Sequence, residues 1–362
     1  MRSQSSLFLK QLFIAFLGVV FLLVLVESGV RYAIRNTRLL ETPVDIQTPA
    51  ILLSKLNYIS QLEGKKIVLI GDSLMFGRSM RDHGNHQWMD HTLDTKIKNE
   101  LRAKGKEINI INMGIEGAVP ADMELLLDLV IKTSPDALII NTGLRSFSKD
   151  FNTGYGLTRI WLRDFMYDAE SSAMSTVLPE DLASRIETTI KNFMINHWVT
   201  YRLRDYMQWL VLETTPRKAA DNVVDKINSY LIGNEMSIDE KDLITMLKAK
   251  KRYKSITLDD GDVQKESLKR IVSKLNENKI KTIFFYGREN PKKLKKVISE
   301  KRYKKLLISF ENTLNLSNES IQYISPKEIA IPPDYYLDMV HVNSDGYRIY
   351  AKHIVKRLSQ FN

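Results

Sequence analysis

There is no cysteine in the 362 residues. That removes disulfides, thiolate metal sites and cysteine nucleophiles, and it leaves the redox compartment open. Histidine is scarce at six, so a general base has few possible sources. Acidic side chains number 43 against 53 basic ones, for a formal charge of +10. This surplus favours anionic surroundings such as phospholipid headgroups, acidic glycans or nucleic acid. No nucleic-acid motif joins the basic residues, so nucleic acid is not an expected partner. Internal repeats and low-complexity tracts are also missing. What remains is 44% hydrophobic and 27% charged, the composition of a folded globular chain long enough for one large domain or two ordinary ones.

Long apolar runs are rare, with one exception. Residues 12–26 are continuously apolar apart from Gly18, and residues 7–9 extend the run across Lys10 and Gln11. With Lys10 snorkelling to the interface, the run reaches the roughly 20 residues that a spanning helix needs. No small-x-small cleavage pattern precedes Glu27, which favours an uncleaved anchor over a signal peptide. Arg2 and Lys10 lie before the run, and Arg31, Arg35 and Arg38 after it; that count weakly favours a cytoplasmic body. The expected divisions are an anchor over 1–35, a linker over 36–64 containing Pro43 and Pro49, a split α/β domain over 65–145 and 259–362, and a mainly helical insertion over 146–258.

The α/β reading rests on alternation. Apolar strands are expected at 67–70, 108–111, 137–140, 280–286 and 321–324. Between and after them, helical spacing covers 89–104, 121–133, 266–276, 294–307 and 345–358, the last capped by Asn343 or Ser344. This order implies a parallel sheet with helices on both faces. Its active site then lies at the carboxyl ends of the strands, where Ser73 follows the first strand in "IGDSLMFG". A serine hydroxyl needs a base and oxyanion donors to act as a nucleophile. Of the histidines, His341 stands three residues after Asp338 and just before the last helix, so the carboxylate can orient the imidazole toward Ser73. His353 and His197 sit inside helical patterns and read as packing residues. The second and third strands end at Gly114 and Gly143, and Arg145 follows. Asp82, His83, His86, Asp90 and His91 are clustered; imidazole and carboxylate suit zinc, but the segment reads as a polar loop, and no metal or cofactor is expected. The basic stretch 292–305 reads as a solvated amphipathic helix.

Gly71-Asp72-Ser73, the glycine block at Gly114, and Asp338-x-x-His341 before the terminal helix together resemble the SGNH (GDSL-like) hydrolases. The resemblance covers about 65–144 and 260–360. It implies a flavodoxin-like three-layer α/β/α fold, with Ser73 as nucleophile, His341 as base, Asp338 as its orienter, and the N–H groups of Ser73 and Gly114 in the oxyanion hole. The family's Gly-x-Asn block departs here to Gly143-Leu144-Arg145. Arg145 can complete the oxyanion hole, hold an anionic substrate group, or occlude the site.

The activity implied is that of an esterase or O-acyltransferase working through an acyl-enzyme. Its substrate would be an acylated cell-envelope glycan or a lipid-linked saccharide, beside a membrane-bound O-acyltransferase as partner. Similar anchored proteins place such a domain on the outer side of the bacterial inner membrane, against the weak charge count. Two alternatives stay open: a non-catalytic glycan-binding or scaffold protein, and a lipid esterase.

Overall fold

The computed structural model describes residues 2–35, 49–77, 79–85, 87–151, a few positions between 186 and 201, 238–314 and 320–361. Five parallel strands form one sheet: β1 (Lys66–Ile70), β2 (Asn109–Asn112), β3 (Ala137–Thr142), β4 (Lys281–Tyr286) and β5 (Ile321–Ile324), in the spatial order β2-β1-β3-β4-β5. That is the flavodoxin-like order, whose switch point lies between β1 and β3.

The helices are α1 (Arg2–Arg35), α2 (Pro49–Gln61), α3 (Ser73–Phe76), α4 (Ser79–Asp82), α5 (Leu93–Arg102), α6 (Pro120–Ile131), α7 (Ile238–Lys254), α8 (Val263–Glu277), α9 (Pro291–Leu294), α10 (Glu300–Leu314) and α11 (Ser344–Leu358). Alternate strand residues face opposite layers. Val68, Ile70, Leu138, Ile140 and Phe284 meet α2, α6, α8 and α10 in one core. Ile67, Leu69, Ile139, Ile283 and Phe285 meet α3, α5 and α11 in the other. Strands covered on both faces have no polar side to show, which is why they read as unbroken apolar runs.

Three expectations change. Residues 49–61, expected as linker, form α2, whose Leu52, Leu56 and Ile59 are buried in the first core. Lys55 on the same face is also buried, and its Nζ donates to the Asn112 carbonyl at 2.6 Å. The single helix expected over 294–307 is instead α9 and α10, with Val297 and Ile298 buried in the turn between them. The helix expected over 89–104 begins as a 3-10 turn, Trp88–His91, and is broken at extended Thr92 before α5.

Of the expected insertion, residues 152–185 and 202–237 lie outside the described residues, as does most of its aromatic stretch. Its two ends belong to the α/β core. Phe147, Tyr253, Ile256 and Leu258 are core residues, and Ser148 bridges Ile256. In α1, residues 11–32 are long and apolar enough to cross a membrane, and no part of that apolar window is buried in the protein.

Candidate active site

Ser73 opens α3 directly beyond β1. Asp72 caps this short helix, its Oδ1 accepting from Leu74 N at 2.9 Å, and Gly77 closes it at φ +81°, a conformation that L side chains disfavour. The chain therefore turns sharply at the strand end. Ser73 is held there by backbone geometry and is only 8% exposed.

His341 arrives from the loop before α11. Its Nε2 lies 2.7 Å from Ser73 Oγ, and its Nδ1 lies 2.6 Å from Asp338 Oδ2. The other carboxylate oxygen of Asp338 accepts from the N–H groups of Val340 and His341, both at 2.8 Å. Burial pushes the Asp338 carboxyl up, but the His341 side chain and these two amides outweigh it and hold the group well below the usual carboxylate range. An ionised Asp338 fixes the proton on Nδ1, leaving Nε2 as the acceptor for the serine proton. The loop is tied down by Asn343, which caps α11 by accepting from Asp345 N and Gly346 N, each at 3.1 Å.

Arg145 sits across the switch point, in the 3-10 turn Leu144–Phe147 after β3. One of its terminal nitrogens donates to Ser73 Oγ at 3.0 Å and to Asp72 Oδ2 at 2.6 Å. Burial alone lowers the Arg145 pKa, yet the charge and hydrogen bond of Asp72 raise it overall, so the guanidinium is cationic. Asn141, on β3, completes the support. With its amide turned to satisfy both ends, Nδ2 donates to Asp72 Oδ1 at 2.8 Å and Oδ1 accepts from Gly287 N at 3.3 Å. Asp72 is thus more than a helix cap: it holds the cation beside Ser73.

Gly114 has a different task from the one expected. Its N–H donates to Asn112 Oδ1 at 2.9 Å, which engages it inside the domain. A Cβ on Gly114 would lie 2.7 Å from Met75 Cβ and 2.9 Å from Phe76 N. The glycine therefore lets the β2 loop pack against α3.

Below Arg145 lies a cluster that the sequence did not reveal. Glu289 Oε1 accepts from Tyr253 and Tyr286, each at 2.6 Å, and Oε2 accepts from Tyr303 at 2.8 Å. The Tyr286 hydroxyl also accepts from Leu144 N at 3.4 Å, on the residue before Arg145. Burial raises the Glu289 pKa against these hydrogen bonds. The four side chains come from α7, β4, the loop after β4 and α10, with no spacing to announce them.

The polar loop expected beside the site is dispersed. His83 Nδ1 contacts Ser79 O at 2.7 Å, and His91 Nδ1 contacts Lys96 Nζ at 3.1 Å. Trp88 is buried edge-on against Phe76, and His86 lies outside the described residues. Among the described residues no three potential metal ligands converge.

The sheet has the flavodoxin-like strand order that the resemblance to the SGNH hydrolases implies. No family model and no curated protein matches it. Among solved structures, it aligns with a GDSL-like lipase from Bacteroides thetaiotaomicron at 12% identity and a TM-score of 0.39, over 86% of this chain and 98% of that one. An acetylxylan esterase from Geobacillus stearothermophilus aligns at 14% identity and a TM-score of 0.38, over 82% and 94%. At TM-scores this low, the site stands on its own distances.

Proposed function

We propose that this protein is a serine-dependent ester hydrolase or O-acyltransferase, anchored to the bacterial inner membrane by α1 with its α/β domain outside the cytoplasm. The Ser73–His341–Asp338 relay, with contacts of 2.7 and 2.6 Å, carries this reading. Ser73 Oγ attacks the ester carbonyl as its proton passes to His341 Nε2. The oxyanion faces the Arg145 guanidinium and the Ser73 N–H, the first amide of α3, which has no acceptor within the helix. Collapse expels the alcohol, which takes the proton from His341 and leaves an acyl-Ser73. Water or a sugar hydroxyl, deprotonated by His341, then removes the acyl group. An acylated envelope glycan or lipid-linked saccharide is the substrate class that suits an anchored enzyme, and a membrane-bound O-acyltransferase is the proposed partner.

The test is fluorophosphonate labelling and p-nitrophenyl acetate turnover by the full-length protein beside Ser73→Ala. The expected result is labelling that the substitution abolishes, with turnover lower by on the order of 10^6-fold. An unlabelled, well-folded protein would support a non-catalytic scaffold instead.

A further inference from the structure

The apolar span of α1 ends at a joint. Glu27, one residue past the run 12–26, accepts from Val199 N and Thr200 N, each at 2.8 Å, and from Thr200 Oγ1 at 2.7 Å. One turn later, Arg31 donates to the His197 carbonyl at 3.3 Å and to Glu27 at 2.8 Å. Between these contacts the chain leaves one helical stretch at Trp198 and enters another at Val199. The carboxylate therefore caps exposed amides at a helix start, and the guanidinium caps a carbonyl at a helix end. Each charge meets the pole of opposite sign. Val30 and Val199 both pack on the first core, so the joint is continuous with the α/β domain.

The helical residues just before the joint are turned inside out. Ile186, Ile190 and Phe193 are 52%, 58% and 62% exposed, and His197 continues the same face against Phe193, with ring centroids 4.6 Å apart. Steps of four, three and four residues keep these side chains on one side of a helix. Outside α1, they are three of the five large apolar side chains that stand exposed among the described residues. A soluble helix hides such a face; one lying in a membrane interface shows it to lipid.

We propose that this face rests in the headgroup–acyl boundary of the bilayer that α1 crosses, held there by the Glu27–Arg31 joint, and forms a second, non-spanning membrane contact. The occupant is lipid because the stripe ends at His197, which is bonded to Arg31 of α1, and the apolar window of α1 is unburied. From residue 7 to residue 26 the apolar run of that helix extends for about 30 Å at ~1.5 Å per residue, matching a hydrocarbon core of ~30 Å. The end that carries Glu27 and Arg31 therefore falls at the surface, and half-exposed Arg31 suits anionic headgroups. The inference rests on the reading of α1 as a span, and it would hold the α/β domain close to the bilayer, where lipid-linked acyl substrates reside.

The absence of cysteine makes the test direct. Single cysteines placed by Phe21→Cys in α1, Phe193→Cys on the stripe and Ile308→Cys on α10 would carry a bimane probe in the full-length protein, in phosphatidylethanolamine–phosphatidylglycerol nanodiscs. The reading is quenching by lipids spin-labelled on the acyl chain. Strong quenching at 21 and 193, several-fold above that at 308, is expected. Glu27→Ala should lower the quenching at 193 and leave 21 unchanged. Quenching at 21 with 193 matching 308 would overturn the proposal and leave the span intact. Quenching at neither position would overturn both. A blue-shifted but unquenched probe at 193 would mean that protein, a second copy or a partner, covers the face, and would also overturn the proposal.

Discussion

Asp338 and Glu289 are two carboxyl groups in the loops at the carboxyl end of one sheet, and burial pushes the pKa of both upward. They end on opposite sides of the ordinary range. Asp338 faces a cationic-capable imidazole and two amides, all of which favour its anion, and it falls. Glu289 faces three neutral hydroxyls, which compensate less than burial takes away, and it rises. Identical chemistry therefore serves two ends: one carboxyl orients the His341 imidazole beside Ser73, and the other gathers α7, β4 and α10. Partner identity decides which.

The comparison breaks most visibly in turnover. Asp338→Asn removes the charge and permits the wrong imidazole tautomer, so kcat should fall by on the order of 10^4-fold, and the urea midpoint near neutral pH should fall as well, because the stabilisation behind the depressed pKa is lost. Arg145→Ala should lower kcat by about 10^2- to 10^3-fold, with a smaller change in KM; an unchanged kcat would remove Arg145 from the oxyanion site. The same variant should unfold at lower urea, because Asp72 loses its ion pair. Glu289→Gln should differ from Asp338→Asn in acting on stability alone. It leaves at least one tyrosine hydroxyl without a good acceptor, for about 1–3 kcal/mol of stability, and kcat should stay within about tenfold of the parent. A larger loss of kcat would mean that the Tyr286–Leu144 contact governs the placement of Arg145.

The smallest effect is in pH, and it separates the two carboxyls by sign. A depressed folded pKa gives stability that is present above the unfolded value, about 3.9 for Asp, and lost as pH falls through the folded one. Asp338 should therefore steepen acid unfolding below about pH 4. A raised folded pKa works the other way: from about pH 4.3, the unfolded value for Glu, the native state holds the extra proton, and stability declines as pH rises. Urea midpoints measured across pH should lose the acid-side slope in Asp338→Asn and the opposing slope in Glu289→Gln. If both variants follow the parent curve, neither carboxyl is linked to folding in the stated direction.

Local pattern carried much of the reading, and its failures have physical reasons. The strands were visible because burial on both faces demands apolar residues at every position. The Asp338–His341 pair was visible because its two members lie three residues apart. Helix α2 was not, because Lys55 interrupts its apolar face between Leu52 and Leu56; a carbonyl brought in from β2 accepts from that amine. The 292–305 region was read as one helix because lysines blur its periodicity. Consecutive Val297 and Ile298 are both buried, which one amphipathic stripe does not accommodate. The resemblance placed the Gly114 amide in the oxyanion hole, whereas that amide donates to Asn112 Oδ1 two residues earlier.

By itself, the sequence determined the order of strands and helices, the serine at the end of β1, and the histidine with its aspartate before the last helix. These rest on contacts within a few residues or on a periodic apolar face, and such features are written locally. Tertiary structure alone decided that Arg145 reaches Asp72 and Ser73 across 73 and 72 residues of chain. It also decided that three tyrosines meet on Glu289 and that Glu27 of α1 caps a helix 172 residues later. Those partners share no spacing, and only the parallel sheet and its crossovers bring them within hydrogen-bond distance.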